Sequence, residues 1–153
     1  MADKEHLPRW SAIAFNKAVF AVAGSTPVYL EGDERTTNCE ENFFEVRLDG
    51  PDLTRQTKSE TEWEVTVDVL ANCKIDPRDH YAVERLLGTA LMAFTDTVLV
   101  KRWGDGDEDD DSSVGCFQLD GKITVNKFGI VDKDTRIVQA TIAATYKMSL
   151  STT

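Results

Sequence analysis

Two segments of the chain alternate apolar and polar residues with a period of two, and this alternation constrains the fold more than any other feature. In the segment from Thr61 to Leu70, Trp63, Val65, Val67 and Val69 point one way. The closing segment repeats the pattern, with Val138, Ala140, Ile142, Ala144, Tyr146 and Met148 on one face. Because successive strand side chains point to opposite faces, both segments are predicted to be half-buried strands, the last one a core element.

The polar face of the first of these strands carries carboxylates, with Glu62, Glu64 and Asp68 on the side opposite Trp63. Several carboxylates cannot be buried cheaply without partners. This face is therefore predicted to meet water or a hydrated channel.

A first helix is predicted from Pro8 to Ala23, because Pro8 suits a first helical turn and Gly24 suits a stop. Its apolar residues form two nearly opposite stripes: Trp10, Ile13 and Phe20 on one, and Phe15, Val19 and Val22 on the other. Either the helix lies between layers of its own domain, or one stripe meets a neighbouring subunit. The candidate subunit-interface residues are Trp10, Ile13, Phe15, Val19, Phe20 and Trp103.

A second helix is predicted from Pro77 to Phe94, with Asp76 as its N-cap and one apolar stripe that should lie on the sheet. Further strands are predicted at Val28–Leu30, Phe43–Leu48, ending at Asp49-Gly50-Pro51, and Thr97–Trp103. The Asp120-Gly121 pair fits either a tight turn or a bulge in one longer strand. The order of elements predicts an α+β fold, a single domain with a mixed, mainly antiparallel β-sheet packed by two main helices.

Residues 1–153 are thus expected to form one domain, with residues 1–7 as a flexible N-terminal tail and residues 104–113 as an acidic loop. The carboxylates of this loop are Asp105, Asp107, Glu108, Asp109, Asp110 and Asp111. Together with Glu62, Glu64 and Asp68 of the strand, they are candidates for lining a channel or forming an exposed loop. An EF-hand loop aligned from Asp105 would need glycine where Asp110 stands and glutamate where Cys116 stands. A solvated loop without a specific metal is therefore predicted.

Charge and motif content exclude several function classes. The 27 acidic residues outnumber the 17 basic ones, and a net charge of -10 disfavours specific nucleic-acid binding. The sequence shows no leader or membrane-spanning stretch, and its three distant cysteines indicate neither disulfides nor zinc, which favours synthesis in a reducing cytosol. Neither histidine has a partner at catalytic or metal-ligand spacing. We therefore expect no catalytic residues, no metal and no cofactor, and a structural protein that assembles with copies of itself.

This arrangement resembles the tail terminator, or minor tail completion, family of long-tailed bacteriophages. The resemblance rests on the first helix, the strands at Val28–Leu30 and Phe43–Leu48, the Trp63-x-Val65-x-Val67-x-Val69 strand, the Pro77–Phe94 helix and the closing Ile142–Met148 strand with its Thr145-Tyr146. The acidic segment between Trp103 and Val114 departs from the family pattern.

The resemblance implies a ring, usually hexameric, that caps the tail tube, stops its polymerisation and offers a head-joining surface. Its partners would be the tail tube protein and a head-tail connector or neck protein, and its location the virion tail after synthesis in the bacterial host cytoplasm. DNA would pass through the ring without specific binding, since acidic walls repel phosphate.

Three other functions fit the same sequence. Another phage neck or head-completion ring protein would have nearly the same composition. A small metal-dependent hydrolase using the acidic loop is a less favoured alternative. An oligomeric binding module with a small ligand between its subunits is the third.

Overall fold

The computed structural model describes residues 4–30, 42–74, 78–103, 109–132 and 137–151, with 109–111 and 131–132 described by their backbone alone. Helices and strands follow in the order α1 (Leu7–Ala23), β1 (Val28–Leu30), β2 (Asn42–Gln56), β3 (Glu60–Lys74), α2 (Ala82–Leu91), β4 (Thr97–Trp103), β5 (Asp109–Asp132) and β6 (Ile137–Ser151). No helix in these ranges is long and apolar enough to cross a membrane.

The strands form one six-stranded sheet in the order β1-β2-β3-β6-β5-β4. β1 pairs with β2 in parallel, while β2–β3, β3–β6, β6–β5 and β5–β4 are all antiparallel. The predicted α+β fold, a mixed and mainly antiparallel sheet packed by two helices, is therefore confirmed.

Both helices lie on one face of this sheet, which we call the covered face. The alternation of β3 and β6 places Val65, Val69, Ile142 and Tyr146 on this face, each with an exposed fraction of at most 1%. Phe15 of α1 reaches the centre of the layer, its ring centroid 5.2 Å from Tyr146 and 5.4 Å from Phe117. The predicted core faces of both strands are thus confirmed, and apolar burial here supplies the main driving force for folding.

Tyr146 remains hydrogen-bonded within this apolar layer. Its hydroxyl donates to the Thr95 carbonyl oxygen at 2.7 Å. Burial, with a smaller contribution from the charge of Asp96, raises the pKa of Tyr146 to about 12. The hydroxyl therefore stays protonated and available as a donor at neutral pH.

Three helix boundaries differ from those predicted, among them the end of α2, which lies at Leu91 instead of Phe94. α1 begins at Leu7, which is completely buried, so Leu7 belongs to the core and not to the predicted flexible tail. α2 begins at Ala82 instead of Pro77; before it, the backbone N–H of Tyr81 donates to the Asp79 side chain in a local turn that competes with helix. The predicted N-cap Asp76 lies outside the described residues. The prediction that α2 lies on the sheet is confirmed by its contacts with β3 and β6.

The four longest strands, β2, β3, β5 and β6, all extend beyond the predicted segments, and β2 and β5 do so by the most residues. β2 does not end at Asp49-Gly50-Pro51 but continues to Gln56 through a register shift and a cis Gly50-Pro51 bond. Along β5, the Asp120-Gly121 pair lies at a register shift against β6. Of the two predicted alternatives, the pair therefore forms a bulge within one longer strand and not a tight turn. Residues 109–113 of the predicted acidic loop belong to β5, because the chain returns there to pair with β4.

Candidate functional site

The second face of the sheet, which we call the open face, carries polar side chains from four neighbouring strands. Cross-strand pairing aligns Arg47 of β2 with Asp68 of β3, and Glu64 of β3 with Lys147 of β6. Glu62, Glu64 and Asp68 all lie here and are partly exposed. The prediction that these carboxylates share a water-facing side of β3 is therefore confirmed for the single chain.

Basic side chains on adjacent strands accompany these carboxylates. The Arg55 guanidinium lies 3.8 Å from Glu62, and Lys147 Nζ lies 3.9 Å from Glu64 and 3.1 Å from Asp120. The hydrogen bond to Asp120, followed by the charges of Asp120 and Glu64, raises the pKa of Lys147. The open face therefore carries both acidic and basic side chains, whereas the sequence of β3 alone suggested a purely acidic surface.

The carboxyl group of Asp68 on this face has a raised pKa. Burial raises the pKa of Asp68, the opposite charge of Arg47 lowers it, and the like charge of Asp49 raises it, with burial the largest effect. The cause is position: Asp68 lies in the middle of the sheet, between β2 and β6. Its ionised form is therefore less favourable than that of an ordinary surface aspartate.

A hydrogen-bonded chain of four side chains crosses three strands beside Asp68. Gln139 Nε2 donates to Asn72 Oδ1 at 2.9 Å, Asn72 Nδ2 donates to Glu45 Oε1 at 3.4 Å, and Arg47 Nη2 donates to Glu45 Oε2 at 3.4 Å. Asn72 is only 1% exposed. These bonds satisfy polar atoms that would otherwise be costly to bury. Sequence reasoning missed this chain, although the period of two in β3 and β6 does place Asn72 and Gln139 on the polar faces.

A shallow hollow with a volume of about 380 Å³ lies on the same face. It is lined by Arg47, Asp68, Leu70, Asn126, Phe128, Gln139, Thr141 and Ala143. Phe128, one of these lining residues, is 56% exposed. The hollow combines the Asp68 carboxylate, the Arg47 guanidinium, amide groups and an exposed aromatic ring, which suits surface contact with a polypeptide.

The predicted subunit-interface residues are mostly internal. Trp10, Phe15, Val19 and Trp103 are buried within the chain, which corrects their assignment to an intersubunit surface. Trp10 Nε1 donates to the Trp103 carbonyl oxygen at 2.8 Å, so this pair joins α1 to β4. Ile13 is partly buried against the core, and Phe20, 51% exposed, is the member of the predicted set with a free surface.

The acidic run contributes little to the described surface. Asp105, Asp107 and Glu108 lie outside the described residues, while Asp109, Asp110 and Asp111 are known only as backbone of β5. Across the part of the chain that is described, no group of three or more His, Cys, Asp or Glu side chains could hold a metal ion. Cys73 is buried and Cys116 is half-buried, and neither is in a disulfide; Cys39 is outside the described ranges.

Comparison with known proteins gives no family assignment: no family model matches the chain, and no curated protein matches it.

Proposed function

We propose that the chain is a virion structural protein, a tail terminator that forms a ring on the phage tail tube. In this role the ring caps the tube, stops its polymerisation and provides the surface that joins the head. Its partners would be further copies of the chain, six in all as the resemblance implies, together with the tail tube protein and a connector or neck protein. The virion tail would be its final location.

One observation carries the proposal: helices cover a single face of a six-stranded sheet, and the other face is polar and open. A mainly antiparallel sheet can leave one of its faces to solvent, as this chain does. In a ring, the same face can line the passage or meet the tube. The fold also keeps the order of elements on which the family resemblance rests, from α1 to the closing β6.

The charge on the open face suits a wall that DNA passes without sticking. Its carboxylates Glu62, Glu64 and Asp120 are held close to Arg55 and Lys147. Basic side chains bound to carboxylates are less available for the phosphate contacts that supply most non-specific DNA affinity. The overall charge of -10 adds repulsion at longer range.

The test begins with the solution mass by light scattering at several protein concentrations and two salt levels, followed by negative-stain imaging. The proposal expects closed rings, either from the free protein or on added tail tubes, and cosedimentation with the tubes. Binding to head connectors in place of tubes would favour a neck or head-completion ring. A protein that stays monomeric and binds neither would overturn the proposal.

A further inference from the structure

The hollow on the open face follows from the register of three neighbouring strands. On the central strand β6, Ala143 is aligned with Asp68 of β3, and Thr141 is aligned with Leu70 of β3 on one side and Asn126 of β5 on the other. All five residues line the hollow. Because Ala143 and Thr141 have short side chains and their neighbours have longer ones, the surface of the sheet is depressed at this point.

Three polar side chains of the hollow have no partner within the described ranges. The side chain of Asp68 forms neither a hydrogen bond nor an ion pair there, and those of Asn126 and Thr141 form no hydrogen bond. Thr141 is only 9% exposed, and burial is the largest effect that raises the pKa of Asp68. Polar groups withdrawn from water normally have partners. The hollow therefore offers a carboxylate, an amide and a hydroxyl to a bound group.

The charges around Asp68 favour a positively charged group. Arg47 acts on Asp68 with opposite charge and Asp49 with like charge. The Arg47 guanidinium, however, donates from Nη2 to Glu45 Oε2 at 3.4 Å, so a second carboxylate shares its charge. In this part of the described sheet, the carboxylates of Asp68, Asp49 and Glu45 thus surround one guanidinium. A cation is attracted to such a site and an anion is repelled.

The shape and chemistry of the hollow suit arginine better than lysine. β4 pairs with β5 only as far as Gln118, so no described strand lies beside Phe128 on its outer side, and its ring is left 56% exposed. This ring gives the stem of a long basic side chain an apolar surface. A guanidinium has five donors in a planar fork that matches a carboxylate, whereas an ammonium is a compact and more strongly hydrated charge.

The surroundings of the hollow point to a polypeptide as the source of the cation. The hollow is shallow and lies on a broad sheet face. Small-molecule sites normally bury most of their ligand, which a shallow hollow does not do. A polypeptide can make further contacts with the neighbouring charged side chains, such as Lys147 beside Glu64.

We propose that the hollow binds one arginine side chain of a partner polypeptide other than this chain. The arginine lies across β6, with its stem against Phe128 and its guanidinium donating to the Asp68 carboxylate. The oxygens of Thr141 and Asn126 accept its remaining N–H groups. This inference uses the single chain alone and does not depend on the proposed ring.

Two-dimensional NMR on the isotope-labelled full chain tests the site with N-acetyl-arginine methylamide as the probe. The probe should shift the backbone amide signals around Asp68, Asn126 and Thr141, with a dissociation constant of about a millimolar for so few contacts. The citrulline analogue has the same shape without the charge and should bind at least about tenfold more weakly. The lysine analogue should also bind more weakly, because it lacks the fork.

Four variants of the chain locate the contact. Asp68→Asn should raise the dissociation constant of the arginine probe at least about tenfold, and Phe128→Ala should raise it about two- to fivefold through lost apolar contact. Ala143→Met fills the hollow and should abolish binding. Glu60→Gln removes an exposed carboxylate from the same strand as Asp68 but outside the hollow, so it is the control and should bind as wild type does. Circular dichroism checks that all four fold.

Several outcomes would overturn the inference. Equal affinity for the arginine and citrulline probes would remove charge recognition, and tighter binding of the lysine probe would remove the preference for arginine. Shifts away from the hollow, or no saturable shift with any probe, would remove the site. Shifts at the same residues on raising the protein concentration without a probe would identify a second copy of the chain as the occupant. None of these results decides the proposed ring, which assembly on tail tubes tests separately.

Discussion

The two faces of the sheet are built from the same strands but are stabilised in different ways. On the covered face, side chains such as Phe15 and Tyr146 contact across layers, with ring centroids 5.2 Å apart. On the open face, side chains contact sideways along the sheet, as when Gln139 donates to Asn72 at 2.9 Å. Alternation decides which residues share a face, whereas the helices decide which face becomes the core. The covered face should therefore dominate stability, and the open face should be free to carry function.

The largest expected effect is the difference in stability between two phenylalanine truncations on opposite faces of the same strand. Phe117 is completely buried and Phe128 is 56% exposed, and both belong to β5. Phe117→Ala should lower the free energy of unfolding by about 3–5 kcal/mol, because it removes buried apolar surface and leaves a cavity. Phe128→Ala should change it by less than about 0.5 kcal/mol.

Urea unfolding followed by circular dichroism measures both variants under identical conditions. Similar losses for the two variants would contradict the assignment of core and open faces. A large loss for Phe128→Ala alone would mean that the open face is covered in solution. Dilution of the sample would show whether self-association provides that cover.

A smaller effect is expected from the buried amide on the open face. Asn72→Ala removes the hydrogen bonds that Gln139 and Glu45 make with this buried side chain and should cost about 1–3 kcal/mol. Gln118→Ala, an exposed change elsewhere on the sheet, is the matched control and should stay within about 0.5 kcal/mol of wild type. Equal stability of the two variants would show that the hydrogen-bonded chain contributes nothing.

The sequence alone predicted which side chains of β3 and β6 belong to the covered face. The alternation in Thr61–Leu70 and in Val138–Met148 correctly predicted the core side of β3 and β6, because a period of two is a local property of a strand. α1 has two apolar stripes, but it does not lie between two layers: it shares one layer with α2 on the covered face, and Phe20 of the first stripe is exposed. The helix contacts β2, β4 and α2, so Trp10 and Phe15 are both buried.

What the sequence could not predict depends on distant pairing. Glu64 and Lys147 are 83 positions apart in the chain, and only the β3–β6 register brings them together. The exposed edge of β5 likewise follows from where β4 stops, at the Leu119–Asp96 hydrogen bond. For the same reason the two-stripe helix suggested interface residues such as Val19 that are in fact internal.

The smallest expected effect, and the one most specific to the open face, concerns Asp68. Burial raises the pKa of its carboxyl group in the folded chain above the ordinary value of 3.8. Its stabilising contribution is therefore fully present below that ordinary value and is lost as the pH rises through the folded-state pKa. Asp68→Asn cannot ionise, so it should be relatively more stable than wild type at neutral pH and should lose this advantage in acid.

Urea unfolding of wild type and Asp68→Asn at about pH 3 and about pH 7 measures the difference, and groups common to both proteins cancel in it. Glu84→Gln is the contrasting control, because its hydrogen bond with Lys127 lowers the pKa of that carboxyl group. Its difference from wild type should change with pH in the opposite sense. If the Asp68→Asn difference were independent of pH, the attraction of Arg47 would cancel the effect of burial on the pKa of Asp68. If the difference favoured wild type more strongly as the pH rises, that attraction would outweigh burial, and the open face would be more hydrated than its geometry implies.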